Sequence, residues 1–310
     1  MSSYRNILVA VHDLRARQNP AIERAARIAA GCRARLVLFH DLATPVYLSP
    51  FAGASQSTAS ITRAARRNAL KRLELMAEPL RAKGIKVTTS AEWDYPPYEA
   101  IVRRAAAVSA DLIVANKRKH HRLPALLAQT DWELLRASPT PVLLVKGGRY
   151  RARAPIVAAV DPLHTNAKPA DLDPRILRHA VVMAAALNSS VHAVQVTPSW
   201  EPVEAGSGKA SRAQIDALMR AAKVTPARMH LLAGLPDELI PRTARRLRAG
   251  VVVLGMMSRR GLKRFFIGNT AERLIDSLHC DLLVVKPRQF HTRVPRARRG
   301  IFFLSSMPLT

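Results

Sequence analysis

The chain has 310 residues, 48% of them apolar and only 5% aromatic, and 49 Lys and Arg against 22 Asp and Glu leave a net charge of +27. This length accommodates two domains of ordinary size with aliphatic cores, and the charge predicts attraction of polyanions that weakens as salt rises. Two cysteines, Cys32 and Cys280, exclude a disulfide framework and have no metal-ligand spacing, so they are expected as small buried hydrophobes.

Strands and helices alternate along the chain. "RNILVAVHD" (5–13) is a nearly continuous apolar run ending in Asp13, the pattern of a buried parallel strand. A helical pattern follows over 19–31, then the strand "ARLVLFHD" (34–41), a loop rich in Pro, Ser and Gly, and a long helix over 57–83. The strand "GIKVTTSAEW", a helix over 97–109, the strand "DLIVAN", a helix from Asp131 and the strand "TPVLLVK" complete the first half.

The order then restarts. "APIVAAVD" (154–161) mirrors the first strand and again ends in Asp. A helix over 174–188, the strand "SVHAVQV", a helix over 211–222 and the strand "ARMHLLA" follow. The next helix opens at Pro236, a good first helical residue, with Asp237 and Glu238 in its first turn. The strand "GVVVLG", a loop, a helix from Thr270 and the strand "DLLVVKP" end the second half. The last third of each half aligns at an offset of 140, with Thr130 on Thr270, Leu143 on Leu283 and Lys146 on Lys286. The repeat defines domains over 1–148 and 149–287, followed by a basic tail, 288–310, that is expected to be disordered.

Five parallel strands joined by helices form a doubly wound α/β sheet, because right-handed crossovers must cover both faces. Ligands of such sheets bind beyond the carboxyl ends of the strands, where the winding reverses. If the first and fourth strands are neighbours, Asp161 and Gly255 stand together at that point. The loop "GMMSRRGLKRFFIGNT" (255–270) then has the makings of a phosphate cradle. Glycines let backbone N–H groups approach an anion, and a helix N-terminus favours it. Asn269 is a good N-cap, and Glu272 three residues on completes a capping-box pattern. An ordinary capped helix after a glycine turn is the competing reading of the same residues. Arg259, Arg260, Lys263 and Arg264 within the loop, and "KRKHHRL" (117–123) in the first half, read as solvated basic runs.

Three strings, "AGLPDELIPRTARRLRAGVVVLG", "IGNTAERLIDSLHCDLLVVKP" and, in the first half, "TDWELLRASPTPVLLVK", make residues 1–287 resemble the universal stress proteins of the tandem two-domain type. The resemblance implies two tandem doubly wound parallel five-stranded domains of the adenine-nucleotide α-hydrolase-like kind, strand order 3-2-1-4-5. It implies a stress-response binding or regulatory module, not an enzyme. In ATP-binding members the loop after the fourth strand follows G-x-x-G-x9-G-[S/T]. Here Gly255, Ser258 and Gly268 stand at the glycine positions, followed by Asn269 and Thr270. Asp161 and the adjoining Pro162 would then meet the adenine or ribose, and Val196 would pack against the base. ATP with Mg is the implied ligand, bound weakly and only by the second domain. At the same offset the first half shows Ala115, Arg118, Ala128 and Gln129, with no glycine. The resemblance further implies that the halves pack as a pseudo-dimer through their fifth strands.

No Walker-type Gly-Lys-Ser/Thr, G-x-G-x-x-G or G-x-S-x-G motif occurs, and nothing nominates a nucleophile. The N-terminal apolar run is too short for a signal peptide and no run reaches membrane-span length, so a soluble cytoplasmic protein is expected. Three other functions fit the sequence less well: a slow nucleotide hydrolase, a charge-driven nucleic-acid binder without stacking aromatics, and a carrier of an apolar ligand in the degenerate pocket.

Overall fold

The computed structural model describes residues 3–16, 18–42, 58–117, 130–148, 151–162, 169–197, 228–256 and 276–297, with scattered helical positions at 213, 216, 217, 219–221 and 274. The first half runs β1 (Asn6–Ala10), α1 (Pro20–Cys32), β2 (Arg35–Asp41), α2 (Thr58–Arg81), β3 (Val87–Glu92), α3 (Pro97–Ala107), β4 (Leu112–Asn116), α4 (Thr130–Ala137) and β5 (Val142–Val145). The second runs β6 (Ile156–Ala159), α5 (Leu172–Leu187), β7 (Val191–Thr197), β8 (Met229–Ala233), α6 (Pro236–Arg246), β9 (Val251–Gly255) and β10 (Asp281–Val285).

The ten strands among the described residues form one sheet in the order β3-β2-β1-β4-β5-β10-β9-β6-β7-β8. Each half has the expected order 3-2-1-4-5, with first and fourth strands adjacent. Pairing is parallel within each half and antiparallel only where β5 meets β10, with Leu143 opposite Leu283. The fifth strands therefore cover each other's edges by backbone hydrogen bonding. Unpaired strand edges invite association with other chains, and the fusion removes two of them. A pseudo-twofold axis passes between Leu143 and Leu283.

Strand residues alternate between two cores. Ile7, Val9, Val11, Ile156, Ala158 and Val160 face the layer of α1 and α5. Leu8, Ala10, Val157 and Val252 face the opposite layer, with Ile101 of α3 and Ile240 of α6. Central strands buried on both faces explain the unbroken apolar runs in the sequence.

The helices α1 and α5 cross at the axis, where Gly31 lies against Ala186. A Cβ at Gly31 would stand 2.0 Å from the carbonyl oxygen of Ala186, which as backbone cannot step aside cheaply. Gly31→Ala should therefore lower stability by about 1–3 kcal/mol despite alanine's better helix propensity. Urea unfolding checks this, and an alanine variant as stable as the parent would contradict the close crossing.

The first part of the tail is placed. The Arg288 N–H donates to Asp171 Oδ2 at 2.8 Å, and Arg103 Nη1 donates to the Pro295 carbonyl at 3.1 Å. Val294 packs against the core of the α3 layer. Residues 288–297 thus contact both halves, through Asp171 of the second and Arg103 of the first. Residues 298–310 lie outside the described residues.

Candidate functional site

The sheet register fixes which residues of the two halves are equivalent, and it corrects the sequence alignment by one residue. Asn116 pairs with Val145 and Gly255 pairs with Val285. Since β5 and β10 correspond at an offset of 140, Gly255 corresponds to Asn116 and not to Ala115. The same reasoning through β1 and β6 places His12 opposite Asp161, with Asp13 opposite Pro162. Asp41 corresponds to Val196, because Phe39 follows Ala10 as Val194 follows Ala159. The strand-end Asp that the sequence repeats in both halves is therefore one residue out of register. Asp13 instead turns its Oδ1 to the Arg15 N–H at 2.7 Å.

In the second half the carboxyl ends of β9, β6 and β7 lie side by side. Asp161 follows β6 and is half-buried, Pro162 is buried, and Val196 at the end of β7 is half-buried against the α6-side core. The Asp161 N–H donates to both carboxylate oxygens of Asp173, each at 3.2 Å. Asp173 is 1% exposed in the first turn of α5, where negative charge also complements the helix dipole. It anchors the strand end that carries Asp161. Sequence reasoning missed it, although an acidic residue in a helix's first turn was a usable signal.

Gly255 ends β9 with an exposed backbone. Its φ is not left-handed. Instead a Cβ there would lie 2.7 Å from Leu172 Cδ2 and 3.0 Å from Ile176 Cδ1. Glycine at this position lets the first turn of α5 pack against the strand end, while the glycine itself stays exposed. Ser258, Gly268, Asn269 and Thr270 lie outside the described residues. Among the described residues no cluster of three or more His, Cys, Asp or Glu could hold a metal.

The first half fills the equivalent place with its own side chains. Asn116 Oδ1 accepts from the Ala21 N–H at 2.9 Å, and its Nδ2 donates to Asn19 Oδ1 at 2.9 Å. Asn19 in turn caps α1 by accepting from the N–H groups of Ala21 and Ile22. His12 Nδ1 stands 3.4 Å from Asp41 Oδ1. The amide therefore occupies the helix N-terminus, and an internal polar pair replaces the carboxylate and apolar flank of Asp161 and Val196.

A tandem pair of doubly wound halves, sharing one sheet and differing at the carboxyl edge of strands one, two and four, defines a two-domain α/β protein. The universal stress protein family model matches residues 3–146 and 154–286, and the chain belongs to that family. Universal stress protein E of Salmonella typhi is 36% identical over 232 residues, covering 68% of this chain and 72% of that protein. Universal stress protein E of Photorhabdus laumondii subsp. laumondii is 29% identical over 322 residues, covering 96% of this chain and all of its own length (100%). Among solved structures, a Pseudomonas aeruginosa UCBPP-PA14 protein described as a universal stress protein superposes with a TM-score of 0.71 at 28% identity, covering 92% of this chain and 94% of its own.

Proposed function

We propose that this chain is a stress-response binding and regulatory module, cytoplasmic and not catalytic, whose second half binds ATP or a related adenine nucleotide weakly. One observation carries the reading: the carboxyl edge of β6, β7 and β9 presents Asp161, Val196 and bare backbone at Gly255, whereas the first half closes the same edge with Asn116 and the His12–Asp41 pair. Asp161 would accept from the ribose hydroxyls or the adenine amino group, with Pro162 beside it, and Val196 would offer an apolar face to the base. Ser258, Gly268, Asn269 and Thr270 would supply the backbone cradle and helix N-terminus for the phosphates, whose charges a Mg ion would share.

Calorimetric titration of the full chain with MgATP tests this. Ser258→Gly should tighten binding about tenfold, since a serine blocks one close backbone approach or pays about 1–2 kcal/mol for a left-handed φ. Gly268→Val should abolish binding, and Asp161→Ala should weaken it about tenfold by removing a charge-assisted hydrogen bond. An affinity indifferent to all three changes would remove the loop and the strand end from the site.

A further inference from the structure

The pseudo-twofold makes each half a control for the other, and one place differs sharply between them. At the amino ends of β6, β9 and β10, beside β5 of the first half, the protein encloses a cleft of about 310 Å³. Ile28, Ile156 and Met183 give it an apolar floor, and the buried Arg24–Asp281 ion pair, 2.8 Å apart, forms one wall. Arg151, Arg245 and Arg248 line it as well, and all three are exposed. Among the described residues none of the three makes an ion pair. Arg245 does touch Nε2 of His279.

The register carries this cleft onto a filled site in the first half. Arg248 corresponds to Ser109, and both have left-handed φ, 54° and 49°. Arg245 corresponds to Ala106, Gly250 to Asp111 and Arg153 to Tyr4. Tyr4 is 3% exposed, its hydroxyl lies 3.1 Å from His179 Nδ1, and the two rings stack with centroids 5.9 Å apart. Asp111 accepts from the N–H groups of Arg5 and Asn6 at 2.7 and 3.0 Å. The first half thus plugs the place with an aromatic ring and a carboxylate. The second half leaves it hollow, drops the carboxylate and adds arginines.

We propose that this cleft binds a small, multiply charged phosphorylated anion. Arginine forks match phosphate oxygens in pairs, and cations of one sign around a concave apolar floor reinforce one another's field. The volume sits at the lower end of small-ligand sites, about 300–1,000 Å³, and admits a phosphorylated metabolite but not a polymer. The cleft opens at the opposite end of the second half's strands from Asp161, so it is a site separate from the nucleotide edge. Arg24, Leu143 and Gly147 come from the first half and Arg245 and Arg248 from the second, so an occupant bridges the two.

Calorimetry of the full chain with inorganic pyrophosphate, at about 150 mM salt to screen diffuse surface attraction, tests the proposal. One saturable site is expected. Arg245→Gln/Arg248→Asn should weaken it at least about tenfold, asparagine being chosen because it tolerates the left-handed conformation. Arg151→Gln should give a smaller loss, about threefold, and keeps the test decisive should the double variant not fold. Arg35→Ala/Lys86→Ala removes two exposed charges from a separate basic surface and should leave the affinity within about twofold. The proposal is overturned if no saturable binding occurs, if the two double variants weaken binding alike, or if Asp161→Ala removes it.

Discussion

Replacing Asp281 by alanine should lower the unfolding free energy by about 3–5 kcal/mol, because it leaves the Arg24 guanidinium buried without its counter-charge. The side chains of Arg24 and Asp281 are 8% and 4% exposed, and Nε meets Oδ2 at 2.8 Å. The other carboxylate oxygen accepts from the Lys146 N–H at 3.1 Å, and Arg24 Nη2 donates to the Gly148 carbonyl at 3.3 Å. One carboxylate on the last strand thus holds a helix of the first half and the exit of its fifth strand. Burial dominates its titration and pushes the Asp281 carboxyl up, with Arg24 opposing. That balance means the pair is kept for position more than for net energy. The double change Arg24→Met/Asp281→Leu should accordingly cost far less than Asp281→Ala alone, and replacing such pairs with apolar residues is often neutral. Denaturant unfolding of the three proteins decides the matter. A loss below about 1 kcal/mol in Asp281→Ala would show that water reaches the pair.

Much of this architecture is legible in the residues. Apolar strands such as "RNILVAVHD" and "DLLVVKP", punctuated by capped helices, lead to two doubly wound halves, and the structure has them in the expected order. The contact of the fifth strands was also expected, as an implication of the family resemblance. Register was not. A strand buried on both faces carries no polar alternation to mark which residue faces which layer, so "DLIVAN" and "GVVVLG" slide by one residue without a visible fault. The slip conceals that Asn116, not Ala115, stands in for Gly255. It likewise hides that His12 replaces Asp161. The extended first turn of α5, whose Leu172 packs over Gly255, arises from tertiary packing that no local pattern signals. Nor could spacing join Arg24 to Asp281, 257 positions apart.

Changing Lys286 to methionine should make the protein more stable at pH 7 by a few kcal/mol, with the advantage fading as the pH is raised. Lys286 follows β10, is 2% exposed, and has its Nζ 4.8 Å from the centre of the Phe290 ring. Burial, reinforced by the nearby Arg136, pushes its ammonium pKa down from 10.5 to about 7. Its pseudo-twofold counterpart, Lys146, is less buried and donates to the Leu278 carbonyl at 2.6 Å across the halves. Burial and the charge of Lys117 bring it down only to about 8. Between about pH 7 and 10.5 the unfolded chain keeps the Lys286 proton that the folded chain has released. The unfolded state then binds more protons, so the unfolding free energy rises with pH across that window by about 1.4 kcal/mol per unit. Below pH 7 both states are protonated, and this residue contributes no slope. Methionine has a similar length and no proton to lose, so it removes the slope and keeps the packing against Phe290. The difference between parent and variant, followed by urea unfolding from pH 7 to 9, cancels every other titrating group, Lys146 included. A difference independent of pH would mean that the Lys286 amine stays charged in the folded protein, and the docked segment beyond β10 would then sit over an ammonium ion instead of a neutral amine.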